Sequence, residues 1–183
     1  MTRNARSRLL VPATLLAGLA ACAINLDFDM PQTEQVDASG ATAFMQVYAV
    51  DLSQQPAVQQ HKDSVQSLGL NSADLSITSV NTNGGTNTVQ TITGVFCLRA
   101  DGAPADGSQD VLIGQLSNFR ILPSTSLHLN GSPALDALLL AAVKGSGKFS
   151  VVVNVMHVEG GTEAHFVIQA TLHAALGYNT GVF

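Results

Sequence analysis

Apolar and polar residues alternate one by one along most of the chain. Ile24, Leu26, Phe28 and Met30 alternate with Asn25, Asp27 and Asp29, the period of a strand with one wet face. Gln32 to Ser39 is polar and predicts a loop, and Ala43 to Val50 predicts a second strand. Asp51-Leu52-Ser53 then opens a polar stretch running to Ser67. Ser53 or Asp51 can cap a helix there, and Pro56 is tolerated in its first turn. Val58, Lys62 and Val65 lie three to four apart, the spacing of a short helix with one narrow packing stripe.

Leu68, Leu70, Leu75 and Ile77 predict a further strand reaching Val80. The run Asn81-Thr82-Asn83-Gly84-Gly85-Thr86-Asn87 is a dense turn signal. Thr88 to Arg99 is β-branched and apolar, with Gly94 a candidate bulge. A loop from Ala100 to Asp110 precedes a strand from Val111 to Leu122. Ser132-Pro133 starts the clearest helix, with a capping residue, proline at N1 and an apolar run from Ala134 to Val143. Lys144 falls in its last turn and Gly145 just beyond. Leu135, Leu138, Leu139 and Ala142 share its apolar face, which suits a helix covering the open end of a sheet.

Two alternating runs close the chain. Phe149, Val151, Val153 and Val155 form one, and Phe166, Ile168, Ala170 and Leu172 the other. Glu159-Gly160-Gly161-Thr162 between them suits a two-residue hairpin turn. A hairpin there pairs Val155 with Phe166, Val153 with Ile168, Val151 with Ala170 and Phe149 with Leu172. About seven strands, turn-rich connections and one or two short helices predict an antiparallel β-sandwich, with a β-barrel as the alternative. No repeat of 20 to 50 residues is evident, against a propeller or solenoid.

Composition narrows the function classes. The 183 residues are 46% hydrophobic and 11% charged, enough apolar surface for a core and too little charge for disorder. Net charge is −5. Without residues 1–21, which hold Arg3, Arg6 and Arg8, five basic groups face 13 acidic ones and the net charge is −8. Such sparse cations do not make a nucleic-acid footprint, nor do they seek an anionic membrane by charge.

The leading segment departs from the strand pattern. Arg3, Arg6 and Arg8 precede a 13-residue apolar run, Leu9 to Ala21. As a helix it would reach about 20 Å, short of the ~30 Å hydrocarbon core. That suits a secretory signal peptide rather than a permanent span. The run ends in Leu19-Ala20-Ala21-Cys22, which resembles the lipobox of bacterial lipoproteins. The resemblance implies diacylglyceryl transfer to the Cys22 thiol, cleavage between Ala21 and Cys22, and acylation of the new amino terminus. Two or three acyl chains, at about 0.8 kcal/mol per buried methylene, anchor stably where one is marginal. The plainer reading is an ordinary signal peptide that happens to end in Ala-Ala-Cys. Ala23 stands where an aspartate would, in enteric bacteria, imply retention at the inner membrane, so the resemblance implies the outer membrane of a bacterial cell envelope. Asp51-Leu52-Ser53, Pro56 and His61-Lys62-Asp63 are also similar to an element of bacterial envelope lipoproteins with β-rich mature domains. These readings divide the chain into a signal peptide at 1–21, a lipidated tether and first strand at 22–40, and a sandwich-like domain at 41–183.

Candidate chemistry is sparse. His61, His128, His157, His165 and His173 lack metal-ligand spacing; His165 and His173 share a strand face but lie roughly 26 Å apart at ~3.3 Å per residue. Surface or sheet-edge positions are expected for them. Asp101, Asp106 and Asp110 lie in a glycine-rich loop that could offer oxygens to calcium, although the spacing is not that of an EF-hand and aspartate and glycine also favour turns. Cys97, in Val95-Phe96-Cys97-Leu98, reads as a buried inert thiol, with an intermolecular disulfide as the alternative. No G-x-S-x-G elbow is present. Gly145-Ser146-Gly147-Lys148 lacks the full P-loop pattern and follows a helix rather than a strand. No cofactor is called for. The expectation is a lipid-anchored, non-catalytic structural or protein-interaction module with an envelope protein partner. The alternative is a carrier for a lipid or other small hydrophobic ligand, held in a cavity between sheet and helix.

Overall fold

The computed structural model describes residues 23–179. Eight strands form two antiparallel sheets. They are β1 (Ala23–Ala38), β2 (Phe44–Asp51), β3 (Val65–Val80), β4 (Val89–Ala100), β5 (Val111–Arg120), β6 (Ser126–Asn130), β7 (Lys148–Gly160) and β8 (Ala164–Asn179). The first sheet runs β1-β8-β3-β6 and the second β2-β7-β4-β5. The predicted sandwich is therefore what forms, and the barrel alternative falls because the strands remain two separate sheets. Eight strands in this order make a jelly roll.

The alternation decides which side chains meet between the sheets. Phe149, Val151, Val153 and Val155 of β7 face inward from one sheet, and Phe166, Ile168, Ala170 and Leu172 of β8 from the other; all eight are at most 2% exposed. Phe96, Leu98, Leu75, Ile77 and Met30 complete the same core. Burying each such side chain contributes on the order of 1.5–3 kcal/mol.

The hairpin expected between the last two runs does not exist. β7 pairs with β2 and β4, while β8 pairs with β1 and β3. The segment after Gly160 carries the chain across the sandwich instead of back along its neighbour. The register pairing Val155 with Phe166 is therefore wrong, although the inward faces were assigned correctly. Period-two hydrophobicity reports a shared core, and two strands from opposite sheets satisfy it as well as two neighbours do.

Two further expectations are corrected. Gln32 to Ser39 is not a loop: β1 continues to Ala38, with its partners running from Gln32↔Ala170 to Ala38↔Ala164. Polar residues are admissible there because β1 is an edge strand, and Pro31 and the inward-directed but exposed Glu34 belong to the same edge protection. The strand β6 was not expected. It spans five residues, only Leu127 and Leu129 turn inward, and it pairs with β3 alone.

The helices close one end of the sandwich. The predicted helix after Asp51 is a 3-10 turn at Leu52–Gln54, α1 at Pro56–His61 and a second turn at Lys62–Ser64. The Asp51 carboxylate accepts from the Ser53 amide at 2.9 Å, and Pro56 sits in the first turn of α1. The helix α2 (Pro133–Lys144) has Ser132 as its cap, accepting from the Leu135 amide. Leu135, Leu139, Ala142 and Val143 are buried, while Leu138 is only half-buried. Asp136 Oδ1 accepts from the Leu70 amide at 2.8 Å, pinning α2 to β3 beside a register shift at Leu70/Ser72.

Gly94 does mark an irregularity, with register shifts on both sides of β4. A Cβ there would collide with the Asn154 carbonyl oxygen. At the opposite end of the sandwich the predicted turn at 81–87 forms, with Asn81, Asn83 and Gly84 at positive φ.

Candidate functional site

The outward side chains of the first sheet are mostly polar. Asp29 of β1, His173 of β8, Asp74 of β3 and His128 of β6 form one chain across all four strands. His173 Nδ1 lies 2.7 Å from Asp29 Oδ1 and its Nε2 lies 2.9 Å from Asp74 Oδ2. His128 Nδ1 lies 2.6 Å from Asp74 Oδ1. A carboxylate can only accept, so both ring nitrogens of His173 donate and the ring is an imidazolium. Hydrogen bonding to Asp29, then to Asp74, raises its pKa above the ordinary histidine value. Hydrogen bonding to His128 holds the Asp74 carboxyl below the ordinary aspartate value. With both nitrogens donating, His173 has no lone pair to act as a general base. The arrangement ties an edge strand to its neighbours.

A second contact lies further along the same face. His165 Nδ1 is 2.7 Å from Asp37 Oδ1, although off the line a hydrogen bond needs. Gly85 packs on the ring, leaving no room for a Cβ.

The outward face of the second sheet is different in kind. Val47 of β2, Val152 of β7, Cys97 of β4 and Leu112 of β5 form one apolar row, by the pairings Val47↔Val152, Cys97↔Val152 and Cys97↔Leu112. Met45 and Val95 flank Asn154 in the next row, and Met156 lies beyond. Met45, Val47, Leu112 and Met156 are 41%, 47%, 47% and 58% exposed, whereas Val152 beneath them is fully covered. Exposed apolar residues that occur singly are ordinary; a contiguous group on one sheet face is what contact surfaces have.

Arg99 and Asp110 border this face. Arg99 Nε and Nη2 donate to the two Asp110 oxygens at 2.6 and 2.8 Å. Both side chains are about nine-tenths covered. The fork geometry raises the Arg99 pKa further, first through the Asp110 hydrogen bonds. Two of the three loop carboxylates considered for calcium thus have other partners. Asp110 holds Arg99, and Asp106 accepts from the Ser108 amide and hydroxyl. Among the described residues no group of three or more His, Cys, Asp or Glu side chains is placed to hold a metal ion. Cys97 is buried and free, and burial, followed by the nearby Asp110, pushes its thiol up to about 11. The burial is the one expected for it.

The remaining histidines are scattered. His61 stacks on Tyr178 with ring centroids 3.6 Å apart, and His157 lies exposed 3.7 Å from Glu159. Gly145-Ser146-Gly147-Lys148 forms the connection from α2 into β7, where Gly147 has φ +78 and donates to the Ala142 carbonyl.

Two clefts open at opposite ends of the sandwich. One, of about 580 Å³, lies beside the 81–87 turn and has Val80, Val89 and Ile121 as its apolar lining, with Asn87, Gln90 and Arg120 among its polar groups. The other, of about 340 Å³, lies between α2 and the ends of β4 and β7, lined by Leu138, Ala141, Ala142, Ala100 and Lys148. It is a surface cleft where the sequence suggested a cavity between helix and sheet. Cys22 and Ala21, the expected lipidation and cleavage residues, lie outside the described residues. Among the described residues no helix is long and apolar enough to cross a membrane.

No protein-family model matches the chain, and no curated protein does. Several solved structures of viral proteins are similar to it. A chain of Desmodium yellow mottle tymovirus is 11% identical with a TM-score of 0.40, covering 98% of this chain and 99% of that one. A chain of turnip yellow mosaic virus is 12% identical with a TM-score of 0.34, over 87% and 98%. The BFDV capsid protein in its decameric form is 11% identical with a TM-score of 0.35, over 85% and 99%.

Neither the Asp29–His173–Asp74–His128 chain nor the Arg99–Asp110 pair was expected from the sequence. The available signal was alternation: apart from Asp110, which lies in the loop before β5, these residues occupy outward strand positions. Which outward residues lie side by side depends on strand order, which alternation does not carry.

Proposed function

We propose that this chain is a lipid-anchored protein of a bacterial cell envelope whose sandwich is a non-catalytic protein-interaction module. The anchor is the Cys22 thiol in Leu19-Ala20-Ala21-Cys22, and the residue after it, Ala23, favours the outer membrane. The observation that carries the interaction role is the outward face of the second sheet. Met45, Val47, Leu112 and Met156 expose apolar surface there, where the first sheet presents a continuous ion-pair network. A face of that kind is suited to a protein surface of matching shape.

Cells fed radiolabelled palmitate should label the wild-type chain, and Cys22→Ser should lose the label. Retained labelling would refute the anchor. A photo-crosslinking residue at Val47 should yield a discrete adduct in envelope fractions, whereas one at Thr33 on the polar face should not. Equal adducts from both positions would refute the interaction face. A carrier role has one observation in its favour, the cleft of about 340 Å³ against Leu138, Ala141 and Ala142, near the lower limit for a small-molecule site. Native mass spectrometry showing a co-purified hydrophobic ligand would favour it.

A further inference from the structure

The strand directions divide the molecule into two ends of different chemistry. β1 starts, β8 ends and β3 starts at one end, where Ala23 pairs with Asn179 and Val65 with Tyr178. β2 ends and β7 starts there too, with Asp51 opposite Lys148. That end therefore carries α1, the loop 101–110 and the connection 145–147. It also carries all three lysines of the chain, Lys62, Lys144 and Lys148, each exposed. Beside them are the exposed Ile24 and the partly exposed Tyr178. The opposite end carries the 81–87 turn, Glu159, Glu163 and the larger cleft.

Cys22 is one peptide bond from Ala23, the first residue of β1. Consecutive Cα atoms are 3.8 Å apart, so an acyl group on Cys22 leaves no linker between bilayer and fold. We infer that the lysine-bearing end of the sandwich rests directly on the lipid headgroups and that the sandwich stands upright on the membrane. This rests on the lipid-anchor reading. The side chains at that end suit the role: lysines and tyrosine keep an apolar stem or ring near the boundary and a polar tip in water. Charge does not drive the contact, because Asp51, Asp63, Asp101 and Asp106 share that end with the lysines. The covalent tether holds it. The 16 residues of β1 span about 50 Å at ~3.3 Å each. The larger cleft is thus carried to the far side of the domain, and the apolar face of the second sheet stands beside the membrane rather than against it.

The test uses the full lipidated chain in vesicles of phosphatidylethanolamine and phosphatidylglycerol containing a lipid with a nitroxide on its headgroup. A thiol-reactive fluorophore is placed by Ser146→Cys at the lysine-bearing end, Val47→Cys on the apolar face, or Thr86→Cys at the far end. Wild type serves as the background, since acylated Cys22 and buried Cys97 take no label. The Ser146→Cys label should lose most of its emission, and the other two should keep theirs. A flexible Gly-Ser insertion of about 20 residues between Cys22 and Ala23, with a mean reach near 25 Å, should restore the Ser146→Cys signal. Quenching at Val47→Cys would mean that the domain lies on its sheet face, and equal quenching at all three, or none at Ser146→Cys, would likewise overturn the upright pose. A wild-type chain that takes the fluorophore on Cys22 would instead signal failure of the lipid-anchor reading.

Discussion

The first sheet meets its surroundings with Asp29, His173, Asp74 and His128 in one hydrogen-bonded chain. The second sheet meets them with Met45, Val47, Leu112 and Met156 over a fully covered Val152. Both sheets contribute the same kind of inward face to one core. Their outward faces differ because the core fixes only every second residue, leaving the alternate ones open to other demands. On the first sheet those positions fasten the long edge strand β1 to its neighbours. On the second they leave apolar surface exposed.

Substitutions at three places sharpen this contrast. The largest effect belongs to the border of the apolar face. Arg99→Ala strands the Asp110 carboxylate, nine-tenths covered, without its partner. The expected loss is about 3 kcal/mol in urea unfolding, at the low end for a buried pair. Replacing both, as Arg99→Met with Asp110→Leu, should restore most of that stability. A loss below about 1 kcal/mol for Arg99→Ala would mean that water already screens the pair.

The polar face should respond less, and with pH. The folded pKa of His173 is raised, so its contribution is complete below the ordinary histidine value of 6.5 and is lost as pH rises through the raised value. Asp74 is lowered, so its contribution is present above 3.8 and is lost as pH falls through the lowered value. The network is therefore strongest between those two limits. His173→Gln should cost up to about 1 kcal/mol near pH 6, as partly exposed pairs do, with the difference from wild type shrinking in alkaline solution. A difference that grows with pH would contradict the imidazolium assignment.

The smallest stability effect should come from the exposed apolar residues. Met45→Ser and Leu112→Ser should each change stability by no more than about 0.5 kcal/mol, yet remove the crosslink formed from position 47. A larger loss of stability would mark these side chains as part of the fold rather than a contact surface.

Much of the core was legible in the chain. The inward sets of β7 and β8, the Ser132 cap of α2 and the turn at 81–87 all follow from periodicity and local backbone chemistry. The short β6 escaped because two apolar positions do not make a period. The second half of β1 escaped because an edge strand tolerates polar residues. The faces were less legible than the core. His165 and His173 could be placed on one side of a strand, but that His173 would lie between Asp29 and Asp74 depends on residues 144 and 99 positions away.

The sequence by itself determined that the chain forms strands, which residues of most strands turn inward, and where α2 begins. Those properties are local, set by side-chain period, capping and proline or glycine geometry. Tertiary structure decided that the last two strands belong to different sheets, that four ionisable groups join across the first sheet, and that the apolar outward residues of the second gather into one face. Each depends on which strands are neighbours. That choice is made by packing two sheets around one core, and no single strand carries the information.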